Sequence, residues 1–141
     1  MRHSFLILIL LSACGATGPT PAEILDRTVF TYNQHLRWKR FDKASRFVGD
    51  DARKLFLKSY EGSEEQLTIE DLEVKDINFE GENKVRVSID ARYFKLPSVT
   101  LLKKKWIQVW EKKNDDWWLS ENSLGPFFED PSSKPASQPT K

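Results

Sequence analysis

Cysteine and histidine are nearly missing from this chain. Its 141 residues hold one Cys, Cys14, and two His, His3 and His35. A single cysteine rules out an intramolecular disulfide. One histidine beyond the leader, His35, and one cysteine leave no zinc constellation at the usual ligand spacings. Six glycines are scattered, and none forms a phosphate-cradling loop. Charge of one sign is missing too. The 22 Lys+Arg stand against 21 Asp+Glu, and removing Arg2 with the leader brings the balance to zero. That excludes the electrostatic footprint of a nucleic-acid binder. Long apolar runs are absent as well: the only one, Phe5 to Leu11, falls short of the ~20 residues that cross a bilayer.

What remains is an ordered leader and an aromatic-rich body. Arg2 and His3 form a basic head, Phe5 to Leu11 an apolar stretch, and Leu11-Ser12-Ala13-Cys14 a small-residue close. This is the plan of a secretory signal peptide. The last four residues resemble the lipobox of bacterial lipoproteins, cut before the cysteine, whose new N-terminus then carries acyl chains. The rivals are a plain signal peptide that contains a cysteine and a free thiol in a cytosolic protein. The placement of all four residues directly after the apolar run favours the lipobox. It also explains an unpaired thiol in an exported chain. One acyl chain holds a protein only marginally, and two or more anchor it stably. The resemblance implies residues 1–13 as the signal peptide, Cys14 as the lipidated residue and 14–21 as a tether. Gly15, where inner-membrane-retained lipoproteins often carry Asp, implies the periplasmic face of the outer membrane in a Gram-negative source. The Gly/Thr/Pro tether Gly15 to Pro21 reaches only about 25 Å when extended.

Residues 22–128 are read as a single domain, with a disordered tail at 129–141 that lacks apolar side chains. Nine Phe, five Trp and three Tyr supply a compact core, since aromatics bury ~150–250 Å² each. Thr20-Pro21-Ala22-Glu23 is a helix start with Thr as N-cap and Glu closing the box. Leu25, Val29, Tyr32 and Leu36 continue it at helical spacing through about Arg37. A break at 39–42, with Asp42 as a cap, leads to a second helix with Trp38, Phe41, Ala44, Phe47 and Val48 on one side. Gly49-Asp50-Asp51 ends it and caps a third segment, Ala52 to Tyr60, whose apolar face is Leu55, Phe56 and Tyr60. Strands follow. Leu72/Val74 and Ile77/Phe79 alternate in opposite phases, so a bulge is expected at Lys75-Asp76. Val85, Val87, Ile89, Ala91 and Tyr93 form the cleanest period-2 pattern. Thr100 to Lys112 is a third strand with Trp106/Trp110 in one phase and Ile107/Val109 in the other. Lys113 to Asp116 turns into a last strand, 117–122.

Helices first and consecutive strands afterwards imply an α+β layer: helices packed on a curved antiparallel sheet of about four strands. The long first helix, the helix ending Phe41-Asp42-Lys43-Ala44-Ser45-Arg46-Phe47-Val48 and the tryptophan hairpin Trp110 to Leu119 resemble the nuclear-transport-factor-2-like (cystatin-like) superfamily. They are similar to small bacterial envelope lipoproteins of that class. In place of the family's usual Asp-Gly before Trp stand Asp115-Asp116. The resemblance implies a cone between sheet and helices that can hold a ligand. Its enzymes, among them isomerases and dehydratases, place His, Asp or Tyr there.

No catalytic residue, cofactor or metal site is assigned. His35 stands beside the Tyr32/Leu36 stripe, and the simplest reading is a boundary histidine. Asp90, its nearest carboxylate candidate, falls in the polar phase of its strand, so the two do not face one cavity. His35, Tyr93, Trp106, Trp110, Trp117 and Trp118 are candidate pocket or contact residues. Lys103-Lys104-Lys105 beside Trp106 allows a membrane-surface contact, but alternation along a strand dilutes the patch and edge lysines also block sheet aggregation. The resulting expectation is a lipid-anchored, non-catalytic binding module for an envelope protein or small apolar ligand. The alternatives are a cone-fold enzyme using His35 or Tyr93 on a small hydrophobic substrate, and a structural envelope component. Arg86, Ser88, Asp90 and Arg92 make one sheet face polar, which favours a monomer.

Overall fold

The first helix starts where its cap directs. In the computed structural model, which describes residues 18–120, 125 and 127, α1 spans Pro21–Arg37. The Thr20 hydroxyl accepts from the Glu23 backbone N–H at 3.3 Å, and the Glu23 carboxylate accepts the Thr20 N–H at 2.7 Å. Two orphan donors are thereby satisfied. Leu25, Val29, Tyr32 and Leu36 are all buried on one stripe. The leader, with Cys14, and the tail at 129–141 lie outside the described residues.

The chain breaks after α1 at Lys39, which takes a positive φ of 53°. The second helix is shorter than its pattern: α2 covers only Phe41–Ala44, followed by a 3-10 turn, Ser45–Phe47. Asp42 is not its cap. Arg40 holds that position with no side-chain bond, and Asp42 lies in the first turn. Trp38 does not join the apolar side; it is 64% exposed, with its ring against Arg37 and its N–H donated to Gln34. In α3, Asp50–Tyr60, with Gly49 as N-cap, Ala52, Phe56 and Tyr60 face inward and Leu55 is turned out. Phe56 and Tyr60 already define the stripe by i, i+4 spacing, and Leu55 stands about 100° away from Phe56.

The four strands β1 (Leu67–Phe79), β2 (Lys84–Lys95), β3 (Leu102–Lys113) and β4 (Asp116–Leu119) form one antiparallel meander in chain order. The phase slip in β1 is a register shift between Val74 and Asp76, and a second lies between Ile69 and Asp71. Each shift inserts a residue, which returns the alternation to its original face. Hence Leu72 pairs with Ala91, Val74 with Ile89 and Ile77 with Val87 on one face, where Leu72 and Ile77 pack on the core and Val74 is exposed. β3 starts at Leu102 rather than Thr100. β4 ends at Leu119; of its expected extension, Ser120 is outside the strand and 121–122 lie outside the described residues. Asn114 and Asp115, both with positive φ, make the two-residue turn between them. Both residue types tolerate that conformation, and Asp116 already belongs to β4 with no positive φ. A parallel bridge from Val48 to Leu119 ties the helical layer to the short last strand.

Candidate functional site: the interior of the cone

Strand alternation decides what enters the cone. From β2 come Val85, Val87, Ile89, Ala91 and Tyr93, all buried. From β3 come Trp106, Gln108 and Trp110, paired across to Ile89, Val87 and Val85. The deep end is occupied by side chains. Trp110 packs edge-on to Tyr32 at 5.4 Å, and Tyr32 also meets Phe47 and Phe56. Phe41 stacks on Tyr60 at 4.2 Å, and Tyr60 leans on Phe56 at 4.9 Å.

Two buried amides sit among these rings. Gln108 Nε2 donates to Asn33 Oδ1 at 2.8 Å, and Asn33 Nδ2 donates to Gln108 Oε1 at 3.3 Å and to the Val29 carbonyl at 2.9 Å. Trp110 Nε1 donates to the same Gln108 oxygen at 3.2 Å. The polar groups best placed to greet a ligand are therefore spent on one another. Such a closed network pins one strand against one helix, because a buried amide without a partner costs about 1–3 kcal/mol. Neither Asn33 nor Gln108 appears among the residues singled out from the sequence. The available signal was Gln108 lying in phase between Trp106 and Trp110.

Three buried polar atoms have no hydrogen-bond partner among the described residues: the Tyr32 hydroxyl, Trp106 Nε1 and Trp117 Nε1. Burial, with the neighbouring Tyr60 adding to it, pushes the Tyr32 phenol well above the ordinary tyrosine range. Burial does the same to Tyr60. Neither phenol is poised to ionise as a base near neutral pH.

Tyr93 and Trp106 come together at the open end of the cone, joined by Phe127. The Phe127 ring meets Tyr93 edge-on at 4.8 Å and Trp106 at 6.1 Å, and it is itself buried. Gly125, with φ of +111°, lies where an added Cβ would stand 3.6 Å from the Tyr60 hydroxyl and 3.9 Å from the Trp106 ring. A shallow cleft of about 240 Å³ remains beside Phe127, lined by Ser59, Ser63, Gln66, Leu67 and Lys95. Trp117 is buried in the core. Trp118 is half-buried and belongs to the other face of the sheet, opposite Glu111.

His35 stands apart from all of these. It is half-buried, with its ring 6.1 Å from Phe47. Partial burial and then the Lys43 and Arg40 cations hold it below the ordinary histidine range, against a smaller opposing pull from Asp42. Asp90 lies on the outer face, 3.7 Å from Lys105. It helps to line a surface cleft of about 420 Å³ with Asp71, Glu73, Arg92 and Lys103. His35 and Asp90 thus do not share a cavity. Among the described residues no group of three His, Cys, Asp or Glu side chains is placed to hold a metal ion, and no helix is long and apolar enough to cross a membrane.

Three solved structures share this architecture. A SEC-C motif containing protein from Rhodopseudomonas palustris is 17% identical, with TM-score 0.57 over 72% of this chain and 85% of its own. A candidate scytalone dehydratase from Novosphingobium aromaticivorans is 16% identical, with TM-score 0.55 over 70% and 78%. A candidate polyketide cyclase from Xanthomonas campestris is 9% identical, with TM-score 0.52 over 75% and 100%. The shared fold is an α+β cone of helices packed on a four-strand antiparallel open sheet. At these identities the likeness concerns the fold, and this cone hosts unrelated functions. No family model and no curated protein matches the sequence.

Proposed function

We propose that this chain is a lipid-anchored bacterial envelope protein whose cone domain is a non-catalytic binding module held near the membrane. The observation that carries the non-catalytic half is the occupied cone. Trp110, Tyr32, Phe56 and Tyr60 fill its depth, and Asn33 and Gln108 satisfy each other. An enzyme of this shape needs an acid or base facing a cavity that admits substrate, and His35 and Asp90 lie on different sides of the sheet–helix sandwich. The anchor half rests on the leader and on Leu11-Ser12-Ala13-Cys14. The partner is an envelope protein or a small apolar ligand bound at the surface. The domain works as a monomer. Its outer face carries charged rows, Asp71–Arg92–Lys103 and Glu73–Asp90–Lys105, which suit water better than a dimer core.

Intact-mass spectrometry of membrane-extracted protein tests the anchor. The expected species begins at Cys14 and carries acyl chains, while Cys14→Ser is uncleaved or soluble. Unchanged mass and unchanged membrane partition would overturn it.

One observation favours a second reading, a cone-fold enzyme on a small hydrophobic substrate. The unpartnered Tyr32 hydroxyl and Trp106 Nε1 line the interior, and the neighbours include a candidate dehydratase and a candidate cyclase. Thermal-shift titration with small planar aromatic compounds separates the two. The binding-module reading expects no interior ligand. Stabilisation that Tyr32→Phe abolishes would instead support the enzyme.

A further inference from the structure

The loop between β2 and β3 breaks the rule that exposed turns are polar. Its counterpart at the other end of β2 is Glu80-Gly81-Glu82-Asn83, an ordinary acidic turn. At the β3 end, residues 96–102 carry four exposed large apolar side chains: Val99 at 81%, Leu96 at 44%, Leu101 at 42% and Leu102 at 40%. A cluster of this kind, rimmed by charge, marks a surface that something covers.

The charge beside the cluster is basic. Lys103, Lys104 and Lys105 follow directly and are all exposed. The nearby carboxylates are already engaged: Asp71 with Arg92 at 3.1 Å and Arg37 at 4.0 Å, Glu73 with Lys75 at 2.7 Å, and Asp90 with Lys105 at 3.7 Å. Lys103 and Lys104 have no ion pair among the described residues. Alternation does send them to opposite faces, with Lys103 across from Arg92 and Lys104 across from Ala91. At the tip of a strand that points into a surface, however, both faces border that surface equally. Apolar tip and cationic collar then match the two layers of a bilayer interface, acyl boundary and anionic headgroup.

We propose that the β2–β3 loop is a second membrane contact. Leu96, Val99, Leu101 and Leu102 enter the interface of an anionic bilayer, and Lys103 and Lys104 lie at phosphate level. This goes beyond the anchor reading, because the contact does not require acylation of Cys14. An anchored domain would gain orientation from it as well as attachment, since two contacts fix a body that one tether leaves free to rotate.

The test uses the full chain with Cys14→Ser, so that Val99→Cys or Glu82→Cys supplies the only thiol. Glu82 lies at the opposite end of β2, roughly 40 Å away along the strand. Each position carries an environment-sensitive fluorophore, and vesicles of phosphatidylcholine with or without phosphatidylglycerol are added. The label at 99 is expected to shift blue and brighten on anionic vesicles, more weakly on neutral ones, and less at high salt. The label at 82 is expected to stay in water. Lys103→Glu/Lys104→Glu should lower partition onto anionic vesicles by roughly tenfold or more. A label at 99 that stays wet while the leader holds the protein on the vesicle overturns the proposal. So does an equal shift at 82. A blue shift without vesicles that grows with protein concentration would assign the loop to a second copy of the chain. Lysine variants that aggregate without losing the lipid response would leave the lysines as guards of the strand edge. Either result also overturns the proposal.

Discussion

Where Val85 faces Trp110, both side chains of the β2–β3 hairpin are sealed from water. Where Tyr93 faces Leu102, the same two strands run out into a loop of exposed Leu96, Val99 and Leu101. The strands are continuous, and both ends are rich in apolar residues. What differs is the cover. At the Trp110 end lie α1, α3 and Leu119. Toward the other end Phe127 covers Tyr93 and Trp106, and the loop projects past it. An apolar residue stabilises the fold only where a second layer excludes water from it. At the tip the same residue type is free to act on something outside the protein.

Trp110→Ala breaks the sealed end most severely. It should cost about 3–5 kcal/mol, as expected for a large aromatic removed from a packed core, and it frees the Gln108 oxygen of one donor. Chemical denaturation checks this, and a loss below about 1 kcal/mol would mean that the cone is loosely packed. Gln108→Ala comes next, at about 1–3 kcal/mol, because Asn33 Oδ1 loses its donor and Trp110 Nε1 its acceptor in the core. The pair Asn33→Leu/Gln108→Leu should recover much of that loss in a double-mutant cycle. A fully additive cycle would argue against the reciprocal bond. Thr20→Ala, at the head of α1, should lose about 1 kcal/mol with its cap. At the open end, Val99→Ser should stay within about 0.5 kcal/mol of the parent. A large loss there would mean that the loop is part of the core after all, and not a surface feature.

The smallest effect concerns pH. The folded state holds His35 below the ordinary histidine range, so the unfolded chain takes up its proton first as pH falls. Stability therefore declines as pH drops through about 6.5. His35→Gln should flatten that part of a melting-temperature profile. The change is small because the ring is only partly buried and Asp42 opposes the nearby cations. A rise in stability on acidification would contradict the direction.

The local elements were legible wherever one residue type dictates one conformation. Thr20 with Glu23 predicts the start of α1, and the alternation from Val85 to Tyr93 predicts a half-buried strand. The slip at Lys75-Asp76 predicts a bulge. Long-range choices were not legible. Trp38 fits the apolar periodicity of its neighbours, but the positive φ of Lys39 re-aims the chain and leaves Trp38 outside. The Asn33–Gln108 bond joins residues 75 positions apart, and no local pattern announces such a pair. Phe127 likewise follows the strands with nothing nearby to say that it closes the cone.

The order of residues alone settled the helix-then-meander plan and the polar outer face of β2, because these depend on residue type and spacing within one element. Tertiary structure alone decided that the depth of the cone is filled, that two amides answer each other inside it and that one hairpin tip stays bare. Those outcomes depend on which surfaces meet across the chain, and burial is a property of the meeting and not of the residue.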